Sequence, residues 1–199
     1  MAIIHEEADT MLIQQVASVS VANVLVIADG TDILVLLCHV VFNRYITGHV
    51  MMTSQITEWT AIDINASVDK NRTIMDNLLA AHGLTGCVTV AMYHGIGKGF
   101  TLKVLRTPNS SLSKIGDITV SIEEAVVQAT HFILSCYGRL GCTSLTDARQ
   151  KIWSRKVSQS IAAAPKLQSL PPTNEAFAEN VARAHVSGRV ETCHTSKPT

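Results

Sequence analysis

Apolar and polar positions follow periods that change along the chain. Over residues 7–18, Ala8, Met11, Leu12, Gln15 and Val16 recur at helical spacing behind Glu6 and Glu7, which predicts a first helix with acids at its positive end. Residues 21–28 form a short, near-continuous run rich in Val, the pattern of a buried parallel strand. Asp29-Gly30 punctuates that run, and Thr31 or Asp32 is suited to cap an apolar helix from Ile33 to Val41. Residues 50–53 and 60–64 read as short strands, and residues 68–82 have helical periodicity through Ile74, Leu78, Leu79 and Ala81.

The second half contains only helical patterns. Residues 84–106 predict two short helices around Gly95-Ile96-Gly97. Residues 121–137 predict a long apolar helix opened by Glu123 and Glu124, and residues 146–158 a helix carrying Arg149, Lys151, Arg155 and Lys156. Residues 162–169 read as a loop. Pro171-Pro172-Thr173 then stops the chain and caps a last helix over 174–186, with Ala176, Phe177, Val181 and Ala184 inward. Residues 188–199 are polar and are expected to fray.

Composition narrows the class. The 199 residues carry 16 Lys+Arg and 16 Asp+Glu, a net charge of zero, and 47% are hydrophobic, which excludes a disordered chain and argues against grip on nucleic acid by bulk charge. The most apolar stretch, Val16 to Phe42, is broken by Asn23, Asp29, Gly30, Asp32 and His39, so a membrane partner is not expected. The start is acidic where a secretory signal would be basic, and the five cysteines contain no CxxC pair. These features point to an intracellular location, nucleus or cytoplasm, without a disulfide framework. Cys193-His194 lacks the further ligands that tetrahedral zinc requires.

Two acidic groups and one glycine-rich turn could carry chemistry. Glu6, Glu7 and Asp9 open the first helix, and Asp29 and Asp32 follow the first strand, where open α/β sheets place their ligands. Carboxylates suit Mg2+ or Mn2+, and a cluster of them can hold two ions that activate water for phosphodiester cleavage. Glu7 and Asp9 lie about 200° apart on a helix, so they converge only if Glu7 precedes the first turn. The same acids also serve as dipole and cap partners. The turn at Gly95-Ile96-Gly97-Lys98 is not a P-loop, because Met92 stands where the first glycine is required. It fits a hairpin between helices, with glycines allowing positive φ and close backbone approach, and amides plus Lys98, Lys103 and Arg106 offered to a phosphate.

Taken in order, Glu7-Ala8-Asp9-Thr10, Ala28-Asp29-Gly30-Thr31-Asp32, His82-Gly83-Leu84-Thr85-Gly86-Cys87 and Gly95-Ile96-Gly97-Lys98 resemble the PIN-like, flap-endonuclease-type nuclease core. More closely, they resemble the uncharacterised transposon-associated animal proteins that carry such a core. Cys136-Tyr137-Gly138, Ser144 to Arg149, and Leu170-Pro171-Pro172-Thr173 through His185 look like the carboxy-terminal half of that set, so the resemblance spans about residues 5–187. The fold it implies is α/β. A partial PIN-like core with a short, mostly parallel sheet (1–83) is followed by a helix–hairpin–helix (84–107), a helical extension (108–187) and a flexible tail (188–199).

The resemblance also implies a two-metal site and a hairpin that grips DNA. Glu7, Asp9 and Asp32 match metal ligands of the pattern, with Asp29 as a neighbouring carboxylate; Gly95, Gly97 and Lys98 match its Gly-Ile-Gly-Lys hairpin, to which Lys103 adds local charge as a further candidate for binding nucleic acid. Gly30 stands where the pattern has the first Asp of Asp-Thr-Asp, and Val88 where it has the Asp of Gly-Cys-Asp. The pattern's opening strand and its acids have no counterpart before Glu7. A single charge pair at 4 Å is worth about 4 kcal/mol at an effective dielectric of 20. The loss of several carboxylates therefore predicts weak or absent binding of Mg2+ or Mn2+ and a degenerate, inactive nuclease-like domain. Two alternatives stay open. One is a non-catalytic DNA-binding module that uses the hairpin and the basic helix, holding DNA weakly. The other is a protein-interaction domain or unstable fragment, self-associating through an unpaired edge of the first strand.

Overall fold

The computed structural model describes residues 8–54, 61–86, 92–108, 110–139, 141–159 and 166–195, with the side chains of the last helix described as far as Val186. The described residues form a mixed α/β chain with eight α-helices and one three-stranded sheet. The chain divides into two compact units, one from residues 1–79 with 190–199, the other from residues 80–189.

In the first unit, α1 (Ala8–Ser18) is followed by β1 (Asn23–Ile27), α2 (Thr31–Phe42) and β2 (His49–Thr53). β1 and β2 pair in parallel with Leu25 opposite Met51, so strand, helix and strand make one crossover unit. β3 (Ile62–Asp63) pairs antiparallel to β2, and the order β1-β2-β3 leaves β1 at an edge of the sheet. The sheet thus has one pairing of each sense. α3 (Ile64–Lys70) and α4 (Met75–Leu84) follow, separated by a 3-10 turn at Arg72–Ile74; the residues of α4 from Ala80 onward belong to the second unit. One helix was expected over 68–82; the break falls at Asn71, whose side-chain amide and backbone N–H both turn back onto the Ser67 carbonyl.

The core of this unit is built from Ile13, Val26, Leu37, Val40, Val50, Met52, Ile64 and Val68, with α2 packed against both α1 and α3. Two expectations change here. On α1 the buried residues are Ile13 and Val16, whereas Met11 is 47% exposed, so the inner face is rotated toward α2. β1 has the expected direction but not the expected two-sided burial. Val26 is buried, while Leu25 is 59% and Ile27 48% exposed on the opposite face.

The second unit is helical: α5 (Lys98–Leu105), α6 (Ile122–Cys136), α7 (Leu145–Gln159) and, as far as Arg189, α8 (Asn174–Thr195). Ser121 caps α6, accepting a hydrogen bond from the Glu124 N–H, with Glu123 and Glu124 in the first turn as expected. Phe132, Ile133 and Leu134 of α6 are fully buried, and α6 packs against α5 and α7. Thr173 accepts a hydrogen bond from the Ala176 N–H at the start of α8. α8 runs past the expected end at Val186 to Thr195, because polar composition alone does not stop a helix and the next proline is Pro198. Its buried face is Phe177, Val181, Ala184 and His185; Ala176, expected inside, is exposed.

Candidate functional sites

Local chain geometry sets the acidic site. Asp29 follows the carboxyl end of β1 and accepts a hydrogen bond from the Ser54 hydroxyl, just past the end of β2. Asp32 lies in the first turn of α2, where its carboxylate accepts from the Thr31 hydroxyl at 3.3 Å. Neither Thr31 nor Asp32 is the helix cap. That position is Gly30, which supplies no side-chain cap. Its φ of 123° and ψ of 150° lie in a region that only glycine adopts without strain.

Asp9 lies in the first turn of α1. Glu7 and Val88 lie outside the described residues. Among the described residues, no group of three or more His, Cys, Asp or Glu side chains comes together as a metal site. The structure thus puts Asp29 and Asp32 on either side of Gly30 but assembles no ligand cluster from the described acids.

Sequence patterns did not point to a second polar link in this sheet. Asp63 caps α3, accepting from the Ala66 N–H at 2.9 Å, and also faces His49 Nε2 of β2 at 3.2 Å. The Ala66 hydrogen bond, with help from His49, holds the Asp63 carboxyl below its usual range. The pair spans 14 residues and rests on strand register, so no local spacing announces it.

The glycine-rich turn lies in the second unit. Gly95 has the expected positive φ, 79°, but Gly97 has φ −91° and sits as the uncapped residue before α5. Among the described residues, nothing lies within 4 Å of where a Cβ would stand at Gly95, Gly97 or Gly99, so the close backbone approach expected at the turn is not seen at those positions. The helix expected on the amino-terminal side of the turn falls partly on residues 87–91, outside the described residues. Lys103 is exposed.

Lys98 is half-buried and turned into its own unit. Its ammonium donates to His82 Nδ1 at 3.1 Å, to the His82 carbonyl at 3.3 Å and to the Gly86 carbonyl. Those acceptors lie at and just beyond the carboxyl end of α4, the negative end of the helix, where a cation is stabilised. Lys98 therefore closes a helix, a role that sequence spacing alone does not indicate.

The basic helix is similarly committed. On α7, Arg149 donates to the Pro171 carbonyl, Lys151 to Asp147 at 2.9 Å, and Lys156 to the Ser169 hydroxyl at 2.6 Å. These cations bind the protein's own oxygens, and Arg155 is exposed.

The fold and sites together define a mixed α/β chain with a short sheet, a carboxylate on either side of a glycine at the end of its first strand, and a helix, α4, closed at its carboxyl end by Lys98. No protein-family model, no curated protein and no solved structure matches the chain. No helix among the described residues is long and apolar enough to cross a membrane.

Proposed function

We propose that this chain is a nuclease-like domain of the PIN-like type that has lost hydrolysis. The observation that carries this proposal is Gly30. In the resembling pattern that position holds a metal-binding Asp. Here its backbone, at φ 123°, has the shape of a residue without a side chain. The difference at this position therefore extends beyond a side chain to the backbone, whose conformation suits glycine. Asp29 is one residue away and engaged with Ser54, which supports the same view. Two-metal hydrolysis needs ions held about 3.5–4 Å apart by several carboxylates, and Asp9, Asp29 and Asp32 supply no such cluster among the described residues.

The engagement of Lys98 with α4, and of Arg149, Lys151 and Lys156 with protein oxygens, supports at most a weak grip on DNA. The test is incubation of the purified full chain with flap and single-stranded DNA in Mg2+ or Mn2+. No cleavage above the metal-free control is expected. Metal-dependent cleavage that Asp32→Ala abolishes overturns the proposal.

A further inference from the structure

β1 stands at an edge of the sheet, and its hydrogen bonds show which of its residues face outward. The Ala22 carbonyl accepts from the His49 N–H at 2.8 Å, and the Ala28 N–H donates to the Thr53 carbonyl at 3.0 Å. Even-numbered residues of this segment therefore turn their backbone groups to β2, and Asn23, Leu25 and Ile27 turn theirs to the edge. Among the described residues, no strand lies beyond that edge.

Edge strands are ordinarily guarded against pairing by a charge, a proline or a bulge. Residues 18–28 contain neither a charge nor a proline. The register with β2 runs unbroken from Asn23 to Ile27, so no bulge twists the edge away. The outward side chains are apolar as well. Leu25 and Ile27 are exposed on the open face of the sheet, Met51 stands opposite Leu25 on that face, and Val19 and Val21 are exposed ahead of the strand. The edge thus offers backbone donors and acceptors beside an apolar strip, the two features that a second strand recognises.

We propose that β1 is a self-association surface whose occupant is β1 of a second copy of this chain, paired antiparallel about a two-fold axis at Leu25. This register is the one in which all three outward residues of each strand pair. Leu25 exchanges both backbone bonds with the partner's Leu25, and Asn23 and Ile27 exchange theirs crosswise, about six hydrogen bonds in all. Charge selects this direction. Asp29 follows the strand, and in a parallel pairing the two Asp29 carboxylates would stand on adjacent strands about 5 Å apart. In the antiparallel pairing Asp29 falls opposite the partner's Val21, and the two carboxylates lie about 27 Å apart, beyond the screening length of about 8 Å. No charge within residues 18–28 opposes its own copy, and the chain as a whole is neutral. The two-fold axis uses the same patch on both copies and closes at two. It joins two three-stranded sheets into one of six, and the strip of Met51 and Leu25 continues across the seam into its own copy. Two five-residue strands make a small interface, so the dimer dissociates on dilution.

The test is sedimentation of the purified full chain over a dilution series up to about 100 μM, where a dimer of micromolar Kd is almost fully formed. The mass is expected to rise from one copy to two and to stop there. Leu25→Lys sets two ammonium groups opposite each other at the seam, at a position exposed in the single copy, and is expected to raise the dissociation constant by roughly tenfold or more. Leu25→Glu is expected to do the same. An equal mixture of the Lys and Glu variants is expected to regain the dimer, which also shows that each variant folds. A chain that stays monomeric throughout overturns the proposal and leaves the edge to a strand of another protein. So does a dimer that Leu25→Lys leaves unchanged, growth beyond two copies, or a mixture of the two variants that stays monomeric.

Discussion

Phe177→Ala is expected to lower the unfolding free energy of the helical unit by about 3–5 kcal/mol, the cost of deleting a fully buried aromatic ring. Phe177 is 1% exposed and its ring lies 5.9 Å from that of Tyr93, tilted by 50°. Such aromatic pairs add to area burial. Tyr93 is itself 7% exposed, its hydroxyl accepts from Asn180 one turn along α8, and burial pushes that hydroxyl up to about 12. Removal of the Phe177 ring thus opens a cavity and loosens the residue that leads into the Gly95–Gly97 turn. Urea unfolding reads the loss as a lower midpoint with an unchanged slope. A midpoint within error of the parent would mean that α8 does not buttress this turn.

Lys98→Ala is expected to cost about 1.5–3 kcal/mol, the range for hydrogen bonds to a charged group. The variant loses the bonds to His82 Nδ1, the His82 carbonyl and the Gly86 carbonyl, and His82 is only 8% exposed. Lys103→Ala, at an exposed position on the same helix, is expected to stay within about 0.5 kcal/mol. This contrast separates a helix-closing lysine from a phosphate-binding one. A phosphate ligand would leave stability untouched when removed and would weaken DNA binding in step with Lys103→Ala. Urea midpoints and low-salt DNA titrations of the two variants give the comparison directly.

What the sequence made legible was local. The α6 helix was readable from end to end because its signals lie within its own residues: Ser121 at the cap, two glutamates in the first turn and an apolar stripe behind them. The β1–α2–β2 order was readable for the same reason. Properties that depend on a distant partner were not. The inner face of α1 follows from where α2 lies, so Ile13 is buried and Met11 is not. An unbroken apolar run at β1 looks the same whether one face is covered or two, and Leu25 and Ile27 show that one is not.

At the candidate sites, the residue types were readable but not their partners. Lys98 beside glycines looks like a phosphate ligand until His82, 16 residues earlier, takes its ammonium. Arg149 and Lys156 look like a basic face until Pro171 and Ser169, 22 and 13 residues on, supply the oxygens. The resemblance alone marks Gly30 as a position where a carboxylate is expected. That its backbone suits glycine is a matter of φ, which no residue letter records.

The most direct measurement of the central claim is a count of bound ions. Mn2+ is titrated into the purified full chain and the free ion is followed by its paramagnetic resonance signal. A chain whose two-metal site is gone holds fewer than two Mn2+ at saturation, with no change in Asp32→Ala. Two ions held per chain, with both lost in Asp32→Ala, would contradict it.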